Sequence, residues 1–253
     1  MIAVIATYRT WSKEKGKKSY KFCNEHALNI TTLREMESLK RQFWDLIEDA
    51  GLVPRNNAGD CNAACDDALL TSCCIVSGLY PNICTLIRPK KGSGPKGGRL
   101  LTKDSDVACR PSSSSFQKLR VQRASESGSD AYAVFYSKHR SIGTVSAGQK
   151  RPPETFLSEL NFVSKFALLL FGGEPELVQN AIVLDKWLKF KVSSDEEISK
   201  QNSTLILSLR ELLDEVILER VVGMTSSPEE RSRLVDRHKR IIEVVRKVLA
   251  DES

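Results

Sequence analysis

Gly78-Leu79-Tyr80-Pro81-Asn82 divides this chain into two kinds of sequence. Before it, apolar residues recur at helical spacing. From Leu33 they fall at Met36, Leu39, Phe43, Leu46, Ile47 and Ala50, the three-and-four rhythm of a buried helix face. Thr31 is placed to cap that helix and Gly51 to end it. A further helix is expected over 65–76, with Gly78 as its stop and Pro81 barring continuation. After the break the rhythm changes. Short apolar stretches at 83–87, 99–102, 107–110, 132–137, 155–163, 181–184 and 188–192 are separated by Gly, Ser, Pro and Asp. Such regular punctuation argues a small β-barrel rather than a helix bundle. Lys165–Phe171 fits a short buried helix or a strand equally well. The Ser-, Gly- and base-rich stretches 111–130 and 141–153 read as loops.

Helical periodicity returns at Asp195. Ile198, Leu205, Leu209, Leu212, Leu213, Val216 and Ile217 make one apolar face. Pro228 starts a last helix whose Leu234, Ile241, Ile242, Val245 and Leu249 share a face. The chain is therefore expected to be α+β in three parts: helical over 1–82, strand-rich over 83–193, helical over 194–253. At 253 residues it can bury about two cores.

Charge is distributed unevenly. Lys plus Arg less Asp plus Glu is +2 over 1–54, −2 over 55–82, +10 over 83–151 and −4 over 152–253. A basic, strand-rich module is the electrostatic footprint of a phosphate-backbone binder. The competing reading is that the lysines of loops such as Lys90-Lys91 and Lys96 only solubilise the chain. The run Arg237-His238-Lys239-Arg240 fits a solvated or partner-facing helix surface better than a nucleic-acid contact.

Several chemistries lack their residues. There is no Gly-x-x-x-x-Gly-Lys-Ser/Thr loop for a triphosphate and no Asp-Glu-x-His box for magnesium. Gly92-Ser93-Gly94-Pro95-Lys96-Gly97-Gly98 has neither the spacing nor a following helix. Asp66-Asp67 and Glu196-Glu197 are ordinary helix-start carboxylates, so no catalytic acid, base or nucleophile is assigned. The seven cysteines form no paired framework, and His26, His139 and His238 are scattered. Buried, reduced thiols are expected, and no metal site. No run of eighteen apolar residues exists, and Met1–Ala6 soon meets Arg9 and a lysine cluster, unlike a secretory signal. An intracellular setting, cytoplasm or nucleus, is expected, without a membrane partner.

The motifs in order resemble one family. Tyr8, Trp11, Phe22-Cys23, Leu28, Thr32-Leu33 and Arg41-Gln42-Phe43 lead to Gly78-Leu79-Tyr80-Pro81-Asn82. Then come Gly97-Gly98-Arg99-Leu100-Leu101-Thr102, Arg110-Pro111-Ser112-Ser113-Ser114-Ser115 and Tyr132-Ala133-Val134-Phe135-Tyr136-Ser137-Lys138. Phe156–Val163, Ala167-Leu168-Leu169-Leu170-Phe171-Gly172-Gly173 and Val183-Leu184-Asp185-Lys186-Trp187-Leu188 complete the series. This succession resembles the carboxy-terminal region of DEAH/DExH-box RNA helicases, where a ratchet-like helical domain leads into an OB-fold. The resemblance implies the end of that helical domain over 1–82, an OB-fold-like β-barrel over 83–193 and C-terminal helices over 194–253. It also implies that the chain begins inside the family's helical region, as a fragment or truncated gene product would.

In such a helicase the ATP and magnesium belong to two motor domains, and none is expected to be held by this chain. The implied role here is sequence-tolerant binding of single-stranded RNA, with docking on the motor domains in cis; the whole parent would unwind RNA at the expense of ATP. Carried over residue by residue, the implied RNA contacts are Arg110, Ser112, Ser113, Lys138 and Arg140. Arg110 stands where the family has histidine, keeping a donor and adding a fixed charge. Ser114-Ser115 departs from the family's Val-Asn, which alters the turn. Phe135 and Tyr136 read as barrel wall, or as base-stacking rings. A motor-less RNA-binding adaptor and a protein-interaction scaffold are the alternatives.

Overall fold

A computed structural model describes residues 2–53, 64–87, 99–104, 108–112, 115–126, 130–146, 149–191, 193, 195–222 and 228–250. The architecture is α+β, and the chain divides into two compact units. One comprises residues 1–71 and 215–238, the other 72–214 and 239–253.

The first unit opens with α1 (Ile2–Lys13), α2 (Lys17–Glu25) and α3 (Ile30–Asp49). Trp11, Cys23 and Leu33, one from each helix, are buried together, with Tyr8, Phe22, Leu28, Ile30 and Met36 packed around them. Tyr8, Trp11, Phe22, Cys23, Leu28 and Leu33 all belong to the first motif, so most of its apolar spacing records a small core. The α3 cap is Asn29 rather than Thr31: the Asn29 Oδ1 accepts the amides of Thr31 and Thr32 at 2.9 and 3.3 Å. Gly51 ends the turn after α3 at φ +69°, where a Cβ is disfavoured. The expected buried face of α3 is largely exposed, with Leu39 at 50%, Phe43 at 60% and Leu46 at 62%. Spacing encodes an amphipathic helix but not the surface that covers it.

The next helix, α4 (Ala68–Leu79), is capped by Asp67, whose Oδ1 accepts from the amides of Leu69 and Leu70 at 2.9 and 3.2 Å. It runs one residue past Gly78 and ends before the Tyr80–Pro81 peptide. The strands follow: β1 (Ile83–Ile87), β2 (Arg99–Thr102), β3 (Arg110–Pro111), β4 (Tyr132–Val134), β5 (Ser137–Arg140), β6 (Thr144–Ser146), β7 (Gln149–Arg151), β8 (Thr155–Ser158) and β9 (Asn161–Val163). Two expectations are corrected between them. The stretch read as a loop over 111–130 contains α5 (Ser115–Glu126), and that over 141–153 contains the β6–β7 hairpin. Only Phe116, Leu119 and Val121 among the first seven residues of α5 are apolar, so its helical signal is weak. The buried Val121 nevertheless anchors it in the core.

The sheets run β2-β1-β4-β9, β3-β8-β5 and β6-β7, and none of them closes on itself into a barrel. They are linked. Leu100 and Cys109 form an antiparallel bridge at 2.7 and 2.9 Å, joining the free edge of β2 to the start of β3. The β4–β5 path also keeps one register against the β8–β9 path, from Tyr132↔Val163 through Ser137↔Ser158 to Arg140↔Thr155. At the bend between β4 and β5, Phe135 donates its amide to Asn82 and Tyr136 to Ser158. Cys84, Leu100, Cys109, Val121, Ala133, Phe135, Leu157 and Leu160 fill the space between these strands. Phe135 is thus core, as the wall reading expects, while Tyr136 is 66% exposed.

Lys165–Phe171 is a helix, α6, started by the Ser164 hydroxyl, which accepts from the Ala167 amide at 3.0 Å. A separate antiparallel sheet follows: β10 (Pro175–Val178), β11 (Ala181–Leu184) and β12 (Leu188–Phe190). The last helices are α7 (Glu196–Val222) and α8 (Pro228–Ala250). The buried row of α7 is Ser199, Ser203, Ile206 and Leu213; Ile198, Leu205 and Ile217, assigned to its apolar face from the sequence, are exposed. The small serines let the helix lie close, and the Ser199 hydroxyl donates to the Asn180 carbonyl at 2.7 Å. Among the described residues no helix is long and apolar enough to cross a membrane.

Candidate nucleic-acid interface

Four of the five residues expected to contact RNA lie on or beside one sheet, β3-β8-β5; Ser113 lies outside the described residues. Register decides which of them meet. Paired residues share a face and neighbours along a strand alternate. One cross-strand row is Arg110–Phe156–His139, and the next is Pro111–Leu157–Lys138. Pro111 and Leu157 are buried, so their row points into the core and the Arg110 row points outward. Arg110 and His139 therefore share the outer face. Lys138 and Arg140 start from the opposite face, and reach water because β5 is an edge strand exposed at all four residues. The sequence grouping is accordingly split: Arg110 lies on one side of the sheet, Lys138 and Arg140 on the other.

Each side chain has a distinct electrostatic setting. The Arg110 Nη2 pairs with the Glu154 Oε1 at 2.9 Å, both groups being well exposed. Its charge is already compensated, and an incoming phosphate has to displace a carboxylate. Ser112 is tied locally, its Oγ lying 2.8 Å from the Gln117 Oε1, so the hydroxyl donates to that amide oxygen. The Lys138 Nζ donates to the Thr102 Oγ1 at 3.0 Å, a neutral partner that brings no compensating charge. Arg140 has no partner among the described residues. On the outer face the His139 and Phe156 rings stack, with centroids 5.7 Å apart and planes 19° from parallel. Neither His139 nor Phe156 was singled out as a contact from the sequence. The available signal was the alternation of Lys138-His139-Arg140 in an edge strand.

The most recognisable motifs meet elsewhere, in a structural network. The Tyr80 hydroxyl donates to the Asp185 Oδ2, and the Asp185 Oδ1 accepts from the Glu174 amide at 3.0 Å. A Cβ on Gly173 would overlap both the Asp185 carboxylate and the Tyr80 hydroxyl, so the second glycine of Leu170-Phe171-Gly172-Gly173 permits this approach. Arg210 of α7 donates to the carbonyls of Leu169 and Gly172 at 2.9 and 2.7 Å, capping the end of α6. Burial pushes the Arg210 guanidinium below its ordinary range, offset by Asp214 and Asp185. Burial, helped by the hydrogen bond to Asp185, pushes the Tyr80 phenol up to about 12. Sequence reading missed Arg210 because it followed the leucines of α7 rather than the row that contains it.

The first two residues of the basic run of α8 are likewise engaged within their own unit. Arg237 pairs with Glu215 at 2.9 Å and with Glu219, and the His238 Nε2 lies 3.3 Å from Glu219. Cys23, Cys73, Cys84 and Cys109 are buried, whereas Cys65 and Cys74 are exposed. Among the described residues no three His, Cys, Asp or Glu side chains cluster as metal ligands.

No family model matches the chain. Individual relatives do, over nearly all of it. DHX57 of Mus musculus, which bears the name of an ATP-dependent RNA helicase, is 26% identical over 99% of this chain. The Homo sapiens protein of the same name is 25% identical over 90%. DExH1 of Arabidopsis thaliana, a DExH-box ATP-dependent RNA helicase by name, is 27% identical over 87%. The homologues of this chain are DExH-box ATP-dependent RNA helicases. The chain spans 19%, 18% and 20% of the lengths of these three helicases, so it corresponds to about a fifth of each.

Proposed function

We propose that this chain is the carboxy-terminal, RNA-contacting region of a DExH-box RNA helicase, with its strands arranged as an OB-fold. Strand order supports the OB reading. From β1 the neighbours run to β2, across the Leu100–Cys109 bridge to β3, in parallel to β8, antiparallel to the β4–β5 path, and from β4 back to β1. With each continuous path counted as one strand, this is a five-membered cycle with α5 inserted in the chain between β3 and the β4–β5 path. Binding of oligonucleotides on such a scaffold is a general use of that fold.

One observation carries the RNA contact. Ser137-Lys138-His139-Arg140 is an edge strand exposed at every position, within the segment of net charge +10. The cations meet phosphates without specifying sequence, so the expected ligand is single-stranded RNA of any sequence. Lys138 and Arg140 supply most of the contact, because Arg110 is ion-paired and Ser112 is bonded to Gln117.

In the whole protein, ATP and magnesium would be held by motor domains supplied in cis, and hydrolysis would drive unwinding in the cytoplasm or nucleus. The exposed Leu39, Phe43 and Leu46 of α3 fit docking on those domains, since the relatives are about five times longer than this chain.

Fluorescence anisotropy of this chain with single-stranded RNA, titrated across salt, tests the proposal. Binding should weaken steeply with salt, and Lys138→Ala/Arg140→Ala should lower the log–log slope by about 1.4, roughly 0.7 per phosphate contact. A double variant with the wild-type slope and affinity would refute the assignment.

A further inference from the structure

We propose that His139, seated on Phe156, is a stacking platform for one nucleobase of the bound strand. This rests on the RNA-binding reading and adds to it a base contact at a residue other than Phe135 and Tyr136, the rings the sequence offered for stacking. The geometry around the imidazole is favourable. With planes 19° from parallel and centroids 5.7 Å apart, Phe156 stacks in an offset manner beside the imidazole and supports one side of it. His139 as a whole is exposed, which leaves the imidazole open to a ligand. Its chain neighbours at two-residue spacing are Ser137 on β5 and Ser141 just after it, both small, and Ser141 is held by hydrogen bonds to Glu154.

The surrounding charge selects the kind of ring. Arg110 lies beyond Phe156 in the same cross-strand row, and Lys138 and Arg140 flank His139 on β5. With Arg110 ion-paired to Glu154, the cations left to meet a ligand are Lys138 and Arg140, and a flat ring arriving beside them is best accepted when it carries phosphates, which describes a nucleotide rather than an aromatic peptide. A ring supported by a neighbour also loses little freedom when a base lies on it. Edge placement lets one strand present its base to the outer face and its phosphates to Lys138 and Arg140 around the free side of β5. Stacking accepts every base, in keeping with sequence-tolerant binding.

The test uses the full chain and a single-stranded RNA of about ten nucleotides carrying 2-aminopurine, a length within the span of OB-type sites. His139→Leu should weaken binding at least about fivefold and abolish the fluorescence change on binding. His139→Tyr, which keeps a ring, should restore both. Neither variant should alter the salt slope, which distinguishes lost stacking from lost phosphate contacts. On an oligonucleotide lacking its bases, His139→Leu and wild type should bind alike. If His139→Leu binds the base-bearing RNA with wild-type affinity and fluorescence, the platform is overturned while the RNA-binding reading stands. If wild type itself binds no RNA at low salt, the RNA-binding reading fails and removes the platform with it. Circular dichroism checks that both variants fold.

Discussion

Removing the Asp185 carboxylate should destabilise the second unit more than its surface position suggests. Asp185 lies at a positive φ of 50°, a conformation that aspartate tolerates better than most residues. From there it accepts hydrogen bonds from the Tyr80 hydroxyl and the Glu174 amide. Hydrogen bonds to a charged acceptor contribute about 1.5–3 kcal/mol each, the upper values applying where water is excluded. Glu174 is exposed and its amide can rebond to water, so most of the loss falls on the part-buried Tyr80 hydroxyl. Asp185→Ala should therefore cost about 2 kcal/mol, or about 4–8 °C in Tm for a chain of this size. Asp185→Asn, which keeps an accepting oxygen, should lose less.

Urea unfolding followed by circular dichroism gives the free energy. Tyr80→Phe and the double variant complete a cycle whose coupling should be about 1 kcal/mol. Alkaline titration supplies an independent arm. Because the Tyr80 phenol is raised in the folded state from near 10 to about 12, its contribution is fully present below about pH 10 and lost as pH climbs to about 12. Tyr80→Phe should flatten that part of the stability profile. Additive single effects, or an Asp185→Ala midpoint equal to wild type, would refute the network.

Other perturbations test different parts of the fold. Gly172→Ala puts a Cβ 2.5 Å from the Leu168 carbonyl oxygen, a backbone atom that cannot step aside, and should cost about 1–3 kcal/mol in thermal unfolding. Asn29→Ala removes the α3 cap and should cost about 1 kcal/mol by the same assay. Phe43→Glu and Leu46→Glu replace exposed side chains and should each leave the stability of this chain within about 0.5 kcal/mol, whereas a buried α3 face would make them severely destabilising.

Legibility in the sequence followed the range of the interaction. The helix at 30–49 and the strands at 83–87 and 99–102 were readable because periodicity and breakers act over a few residues. The helix at 115–126 was not, since its hold on the core is mainly Val121. Of the candidate site, the residue types and the basic segment were visible. The parity that separates Arg110 from Lys138 was not, because it depends on the pairing of β3 with β8 some 46 residues away.

By itself the sequence determined the α+β order of elements, the concentration of positive charge and the kinship with RNA helicases, all properties of local pattern and motif order. Only the tertiary structure decided that Tyr80, Gly173, Asp185 and Arg210 are one scaffold rather than a ligand site, and that His139 rests on Phe156. Those relations join residues far apart in the chain, through register and close packing that no single stretch of sequence contains.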